Sequence, residues 1–222
     1  MRSPYSPIQL ALFLFAVGML LALVQLGVLS IAFGKLGLSL GSTLLLLFAS
    51  LFGSALNLPL LSIRTEMPPD AALPPPLRGL LRQAVNEYRG RTLIAVNVGG
   101  CLVPIGFSLY LLAHQPLPAW KVLVSVLGVA AVSYRMSRPI RGVGIGMPVF
   151  VAPICAALIA LLLDPSRSAP LAYIGGTLGV LIGADLLHLP DIRRMGAPIA
   201  SIGGAGTFDG IFITGIVAVL LA

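Results

Sequence analysis

The chain has 222 residues, 58% of them hydrophobic and 9% charged, with a formal net charge of +7 and a mean hydropathy of +1.03. Water-soluble globular domains carry roughly 25% charged residues, so this composition excludes a soluble enzyme domain and points to lipid as the solvent. The basic excess is spread over several short segments and no RNA- or DNA-binding motif accompanies it, so no nucleic-acid partner is expected.

Apolar runs long enough for a helix to cross a hydrocarbon layer of about 30 Å recur along the chain. The first, residues 8–33, exceeds the ~7–15 residues of a secretion signal's apolar region, and no small-residue cleavage site precedes Lys35. It reads as a retained span. The second run, 39–63, leads into "RTEMPPDAALPPPLRG", whose prolines lack the N–H a helix needs. From Leu77 to Tyr88 the apolar residues Leu77, Leu80, Leu81, Ala84, Val85 and Tyr88 keep the spacing of an amphipathic helix, while Arg78, Arg82 and Arg89 lie off the stripe. Residues 64–91 are therefore expected to form a cytoplasmic proline-rich loop and an amphipathic helix. That helix either lies in the headgroup layer, its arginines meeting anionic lipid, or simply leads into the third span.

Further runs at 92–113, 118–134, 144–163, 169–189 and 206–222 bring the expected number of spans to about seven. With that division, eleven of the fourteen basic residues fall on one side, and Lys35, Lys121 and Arg167 fall on the other. Cytoplasmic loops hold the Lys/Arg excess, so the N-terminus is expected inside and the C-terminus outside. The expected fold is an all-α polytopic transmembrane helix bundle, one membrane domain over residues 1–222, multi-pass in the cell inner membrane. Cys101 and Cys155 fall within spans and read as small packing residues. No CxxC, HExxH or phosphate-loop pattern is present, and neither a metal nor a cofactor is expected. Nothing in the sequence fixes an oligomeric state.

Two of the seven acids lie at membrane depth. Asp185 sits in "GVLIGADLLHLP" near the cytoplasmic end of span six, and Asp209 sits in "GAGTFDGIFITG" near the start of span seven. An ionisable group there is a functional-site hypothesis by default, since an aspartate at a helix centre costs about 2.5–3.5 kcal/mol. Each lies about one helical turn, ~5 Å, inside the expected boundary, so the two stand level, and spans joined by a short loop are usually neighbours. His188 follows Asp185 by three residues, which on an α-helix places it on the same face as a proton relay or an interfacial residue. Asn97, with Gly99 and Gly100 in span three, and Asn57, with Pro59 in span two, offer further polar lining or tolerated kinks.

The strings "VNVGG" (Val96 to Gly100), "SRPIRGVGIGMP" (Ser137 to Pro148), "GADLLHL" (Gly183 to Leu189) and "SIGGAGTFDGIF" (Ser201 to Phe212) resemble the signature segments of an uncharacterised bacterial and archaeal membrane family, domain of unknown function number sixteen-fourteen. The resemblance covers spans three to seven and brings no activity with it. In its aspartates the chain is also similar to the intramembrane aspartyl proteases of the presenilin, signal-peptide-peptidase and prepilin-peptidase group. These carry one catalytic aspartate near the cytoplasmic end of a span and another in a GxGD motif on a later one. That similarity implies catalytic roles for Asp185 and Asp209, supporting roles for Gly183, Gly204, Gly206, Thr207 and Phe208, and a membrane-protein or peptide substrate. Here Thr207 and Phe208 separate Gly206 from the aspartate, and no Pro-Ala-Leu tripeptide follows. Two other classes use the same residues: an ion- or proton-coupled transporter whose last helix is broken at Gly203–Gly206, and a noncatalytic scaffold whose acids pair with Arg193 or Arg194.

Overall fold

The computed structural model describes residues 27–64, 90–140, 144–194, 199–204 and 210–222. Most of the first expected span, the amphipathic stretch 77–88 and the segment 205–209 lie outside them.

The fold is mainly helical. Helix α1, described over Gly27–Lys35, bends through 108° into α2 (Leu40–Ser54). The bend follows from Gly37, whose φ of 82° suits glycine, and from Ser39, whose Oγ caps α2 by accepting the Ser42 N–H at 3.2 Å. Strand β1 (Asn57–Arg64) follows and pairs antiparallel with β2 (Arg91–Asn97). A single π turn, Val98–Leu102, opens α3 (Val103–His114). Helix α4 (Ala119–Met136) leads to a hairpin of β3 (Arg138–Ile140) and β4 (Gly144–Gly146), and α5 (Val151–Leu163) comes next. Helix α6 (Ser168–Val180) runs on through a second π turn, Leu181–Leu186, and a 3-10 segment, Leu189–Arg194. Strand β5 (Ile199–Ile202) joins β2 in parallel, giving the order β1-β2-β5, and α7 (Gly210–Leu221) ends the chain.

Helix α4 and the helical stretch Pro165–Arg193 are long and apolar enough to cross a membrane; the bent pair α1 and α2 makes a third when taken as one span. The two small sheets depart from the all-helical expectation. The run 39–63 divides into α2 and β1, and the run 92–113 into β2, a π turn and α3. Hydropathy alone does not separate a buried strand from a buried helix. In β1, Pro59 removes a helix donor and sits where an edge strand tolerates it, beside the register shift between Pro59 and Leu61.

Helix α6 is the axis of the bundle. Every residue of it except Leu178 is buried, as expected of a helix apolar on all sides. Gly175, Gly179 and Gly183, four residues apart, let it approach α4 so closely that added Cβ atoms would meet Ser125, Val129 and the Ala130 backbone. On the other side α5 presents Ala152, Ala156 and Ala160, all fully buried. Phe107 of α3 meets both Phe33 of α1, at 6.1 Å between ring centroids, and Tyr173 of α6, at 4.9 Å, in edge-to-face geometry. The outward faces of α2, α4 and α5 carry exposed apolar side chains such as Phe52, Leu123 and Leu158.

The two ends of the bundle differ. At one end the Lys35 ammonium donates to the Val219 and Leu220 carbonyls at 3.2 and 3.3 Å, supplying the last turn of α7 with donors its own backbone lacks. Ser168 Oγ donates to the Ala222 carbonyl at 3.0 Å, Arg167 to the Pro116 carbonyl at 2.6 Å, and Lys121 pairs with Asp164 at 2.9 Å. Lys35, Lys121 and Arg167, which the sequence assigns to one side, thus share this end. The opposite end carries the sheets: Ile63 and Ile94 of the β1–β2 pair belong to one apolar cluster with Ile145, Met147 and Ile192.

Candidate functional site

Four interruptions of regular structure, two in helices and two in strands, converge at the sheet end. Helix α2 stops at Ser54, β2 gives way to its π turn at Val98, α6 enters its π turn at Leu181, and β5 stops at Ile202. The antiparallel register sets Asn57 opposite Asn97, and the parallel pairing sets Val96 beside Ile202. Asn97 is 1% exposed, so its amide must be satisfied inside the protein. Its Nδ2 donates to the Ser54 carbonyl at 2.7 Å and to Asn57 Oδ1 at 3.1 Å, while its Oδ1 accepts the Gly100 N–H at 2.7 Å as the cap of the π turn. Ser201 Oγ donates to the same Asn57 Oδ1 at 2.6 Å, drawing in β5.

Asp185 completes this junction. Gly203 has a φ of 81°, a conformation glycine adopts without a Cβ penalty, and a Cβ there would strike Cys101 and the Gly100 backbone. The Gly203 N–H donates to Asp185 Oδ2 at 2.8 Å, a charge-assisted bond to a half-buried carboxylate when the acid is ionised. Gly204, at φ 88°, donates its N–H to the Ser201 carbonyl at 3.3 Å and closes the turn. At about 1.5 Å per residue, the seventeen residues from Ser168 carry Asp185 about 26 Å along its helix, nearly the length of α4.

The other expected residues take different places. His188 is 5% exposed; its Nδ1 donates to the Gly183 carbonyl at 3.1 Å and its ring lies 4.8 Å from that of Tyr134. Between Asp185 and His188 the chain is not α-helical: the π turn Leu181–Leu186 is followed by a turn at Leu187 and His188. Gly183 serves the close crossing of α6 on α4. Gly206, Thr207, Phe208 and Asp209 lie outside the described residues, with α7 starting at Gly210. Ser54 and Ser201 belong to the junction although the sequence reading gave them no role; Gly203, read there as the start of a break in the last helix, is the turn after strand β5. Among the described residues, no group of three or more His, Cys, Asp or Glu is placed to hold a metal ion.

At the opposite end Asp164 gathers donors from Ser166 Oγ at 2.7 Å, Lys121 Nζ at 2.9 Å and the Arg167 N–H at 3.2 Å. The Ser166 hydrogen bond, then that of Lys121, hold its carboxyl down at about 2.

No curated protein and no solved structure matches the chain. Residues 51–221 match the family described as Protein of unknown function (DUF1614). That match takes in every element from the last turn of α2 to α7, including the whole polar junction, and the chain belongs to the DUF1614 family.

Proposed function

We propose that this protein is a multi-pass inner-membrane hydrolase of aspartyl-protease type, with Asp185 and Asp209 as its acid and base and a peptide segment of a membrane protein as its substrate. The observation that carries this reading is the bond from Gly203 N–H to Asp185 Oδ2, which ties the first carboxylate to the turn six residues ahead of the second. Two carboxylates close together share one proton. The ionised one takes a proton from water as its oxygen attacks the scissile carbonyl, and the protonated one gives its proton to the carbonyl oxygen. Collapse of the resulting diol breaks the C–N bond, with a proton passing to the leaving nitrogen, so a carboxyl and an amine are released. Gly204, Gly206, Thr207 and Phe208 would border the substrate backbone, while Asn97 and His188 hold the surrounding chain.

The basic residues support the orientation. Lys35, Lys121 and Arg167 gather at one end, whereas Arg64, Arg91, Arg135 and Arg138 belong to the elements of the other, so the sheet end and Asp185 are assigned to the cytoplasmic side. The short helix α3 would complete its crossing through its π turn and the largely buried β2.

A second reading, cation-coupled transport, is favoured by the convergence of interrupted helices on Asn57, Asn97 and Ser201. Reconstituted full-length protein incubated with labelled single-span peptides separates the two. Hydrolysis lost in both Asp185→Asn and Asp209→Asn, with folding retained, supports the protease. No cleavage by the parent protein, together with sodium-dependent thermal stabilisation abolished by the same substitutions, overturns it in favour of transport.

A further inference from the structure

Between the C-terminal end of α4 and the β3–β4 hairpin lies a cleft of about 480 Å3, bordered by Arg135, Arg138, Met136, Ile140, Gly146 and Met147. The hairpin register explains the opening. Arg138 is paired with Gly146, and a Cβ on that glycine would come within 2.6 Å of Ile140 Cδ1. Among the described residues no acidic side chain lines the cleft, both arginines are exposed, and the ion pair, Lys121 with Asp164, lies at the opposite end. Arg135 stands in the last turn of α4, where a helix about 27 Å long ends, so the cleft lies at headgroup depth in any bilayer α4 crosses. Two cations beside an apolar wall suit a ligand with a negative head and a greasy stem.

We propose that this cleft is a binding site for an anionic phospholipid. The phosphodiester sits between the Arg135 and Arg138 guanidinium groups, which match phosphate oxygens in planar, bidentate fashion. The glycerol and the first methylenes of an acyl chain lie along Met136, Ile140 and Met147. A free phosphate would use the arginines and leave that wall uncovered. The site is separate from Asp185 and does not depend on the hydrolytic reading.

The test uses the full-length protein in a neutral detergent, with phosphatidylglycerol, phosphatidylcholine of the same acyl chains, and inorganic phosphate as probes, read by native mass spectrometry and thermal unfolding. Phosphatidylglycerol is expected to bind and raise Tm, and the other two are not. Near a lipid surface each arginine contributes enough that Arg135→Gln or Arg138→Gln should weaken phosphatidylglycerol binding about fivefold and the double variant about thirtyfold. Met147→Asn should weaken it without changing charge, and Arg193→Gln, at an exposed position outside the cleft, should leave it unchanged. The proposal fails if the double variant binds phosphatidylglycerol like the parent. It fails equally if Arg193→Gln loses as much as the cleft variants, if phosphatidylcholine binds as well, or if inorganic phosphate alone gives the full response. Should the double variant not fold, the single variants carry the same comparison.

Discussion

The Asp185 carboxylate accepts the Gly203 N–H at 2.8 Å, joining a π turn at the end of the central helix to the left-handed turn after β5. A hydrogen bond to a charged group contributes about 1.5–3 kcal/mol, so Asp185→Ala is expected to destabilise the fold by that amount. Asp185→Asn keeps an acceptor oxygen and should cost less than half as much. Thermal unfolding of the full chain in detergent reads the difference; equal losses for the two variants would show that the bond does not hold the turn. The hydrolytic role is tested by the same Asn variant, which is expected to stay folded and lose cleavage.

Asn97 satisfies three partners from a position 1% exposed. Asn97→Leu strands the Ser54 carbonyl and the Gly100 N–H. Each unsatisfied buried group costs about 1–3 kcal/mol, so a total of roughly 2–6 kcal/mol is expected. Asn57→Ala removes only one acceptor from the network and should cost less. Urea or thermal denaturation of the two variants, compared side by side, checks the order.

The glycines of α6 and of the π turn that continues it differ in what they face. A Cβ at Gly175 meets first the Ser125 side chain, whereas one at Gly183 meets the Ala130 backbone. Overpacking costs about 1–3 kcal/mol in either place. Pairing Gly175→Ala with Ser125→Gly should recover most of the loss, because the obstructing atoms are removed. Gly183→Ala should find no rescue in any substitution at Ala130, since the obstruction is main chain. A double-mutant cycle on Tm measures both cases.

The pairing end has a defined acid limit. The Asp164 carboxyl is lowered from 3.8 to about 2 by Ser166 and Lys121, so its contribution to stability is fully present above the unfolded value and is lost as pH falls from about 4 through about 2. Tm measured between neutrality and pH 5 should show no decline from this group. Below pH 4 the parent should decline more steeply than Asp164→Asn, which has no proton to bind there. Parallel curves for the two proteins would remove Asp164 from the account.

Much of the helical part was legible in the sequence. The run 118–134 contains most of α4 (Ala119–Met136), and 169–189 covers α6 and its π turn, because an apolar stretch bounded by prolines and charges marks such a helix whatever surrounds it. The sites at Asp185 and Asn97 were also visible, since a polar side chain in an apolar run must be satisfied by something. What satisfies them was not visible. Asn97 binds Asn57 and Ser54, forty and forty-three residues earlier, and Ser201 reaches Asn57 across 144 residues. His188 bonds the Gly183 carbonyl five residues earlier, where α geometry has already ended at Leu181.

The sequence by itself determined the apolar composition, the places of the long helices and the sorting of Lys35, Lys121 and Arg167 away from the other basic residues. Hydropathy and charge belong to single residues and add along the chain. Only the tertiary structure decided that Asn57–Arg64 and Arg91–Asn97 leave the helix to become strands, and that Gly203 turns left-handed against Asp185. An extended segment in an apolar interior needs partners for its N–H and C=O groups, and those partners come from distant chain that no local pattern reveals.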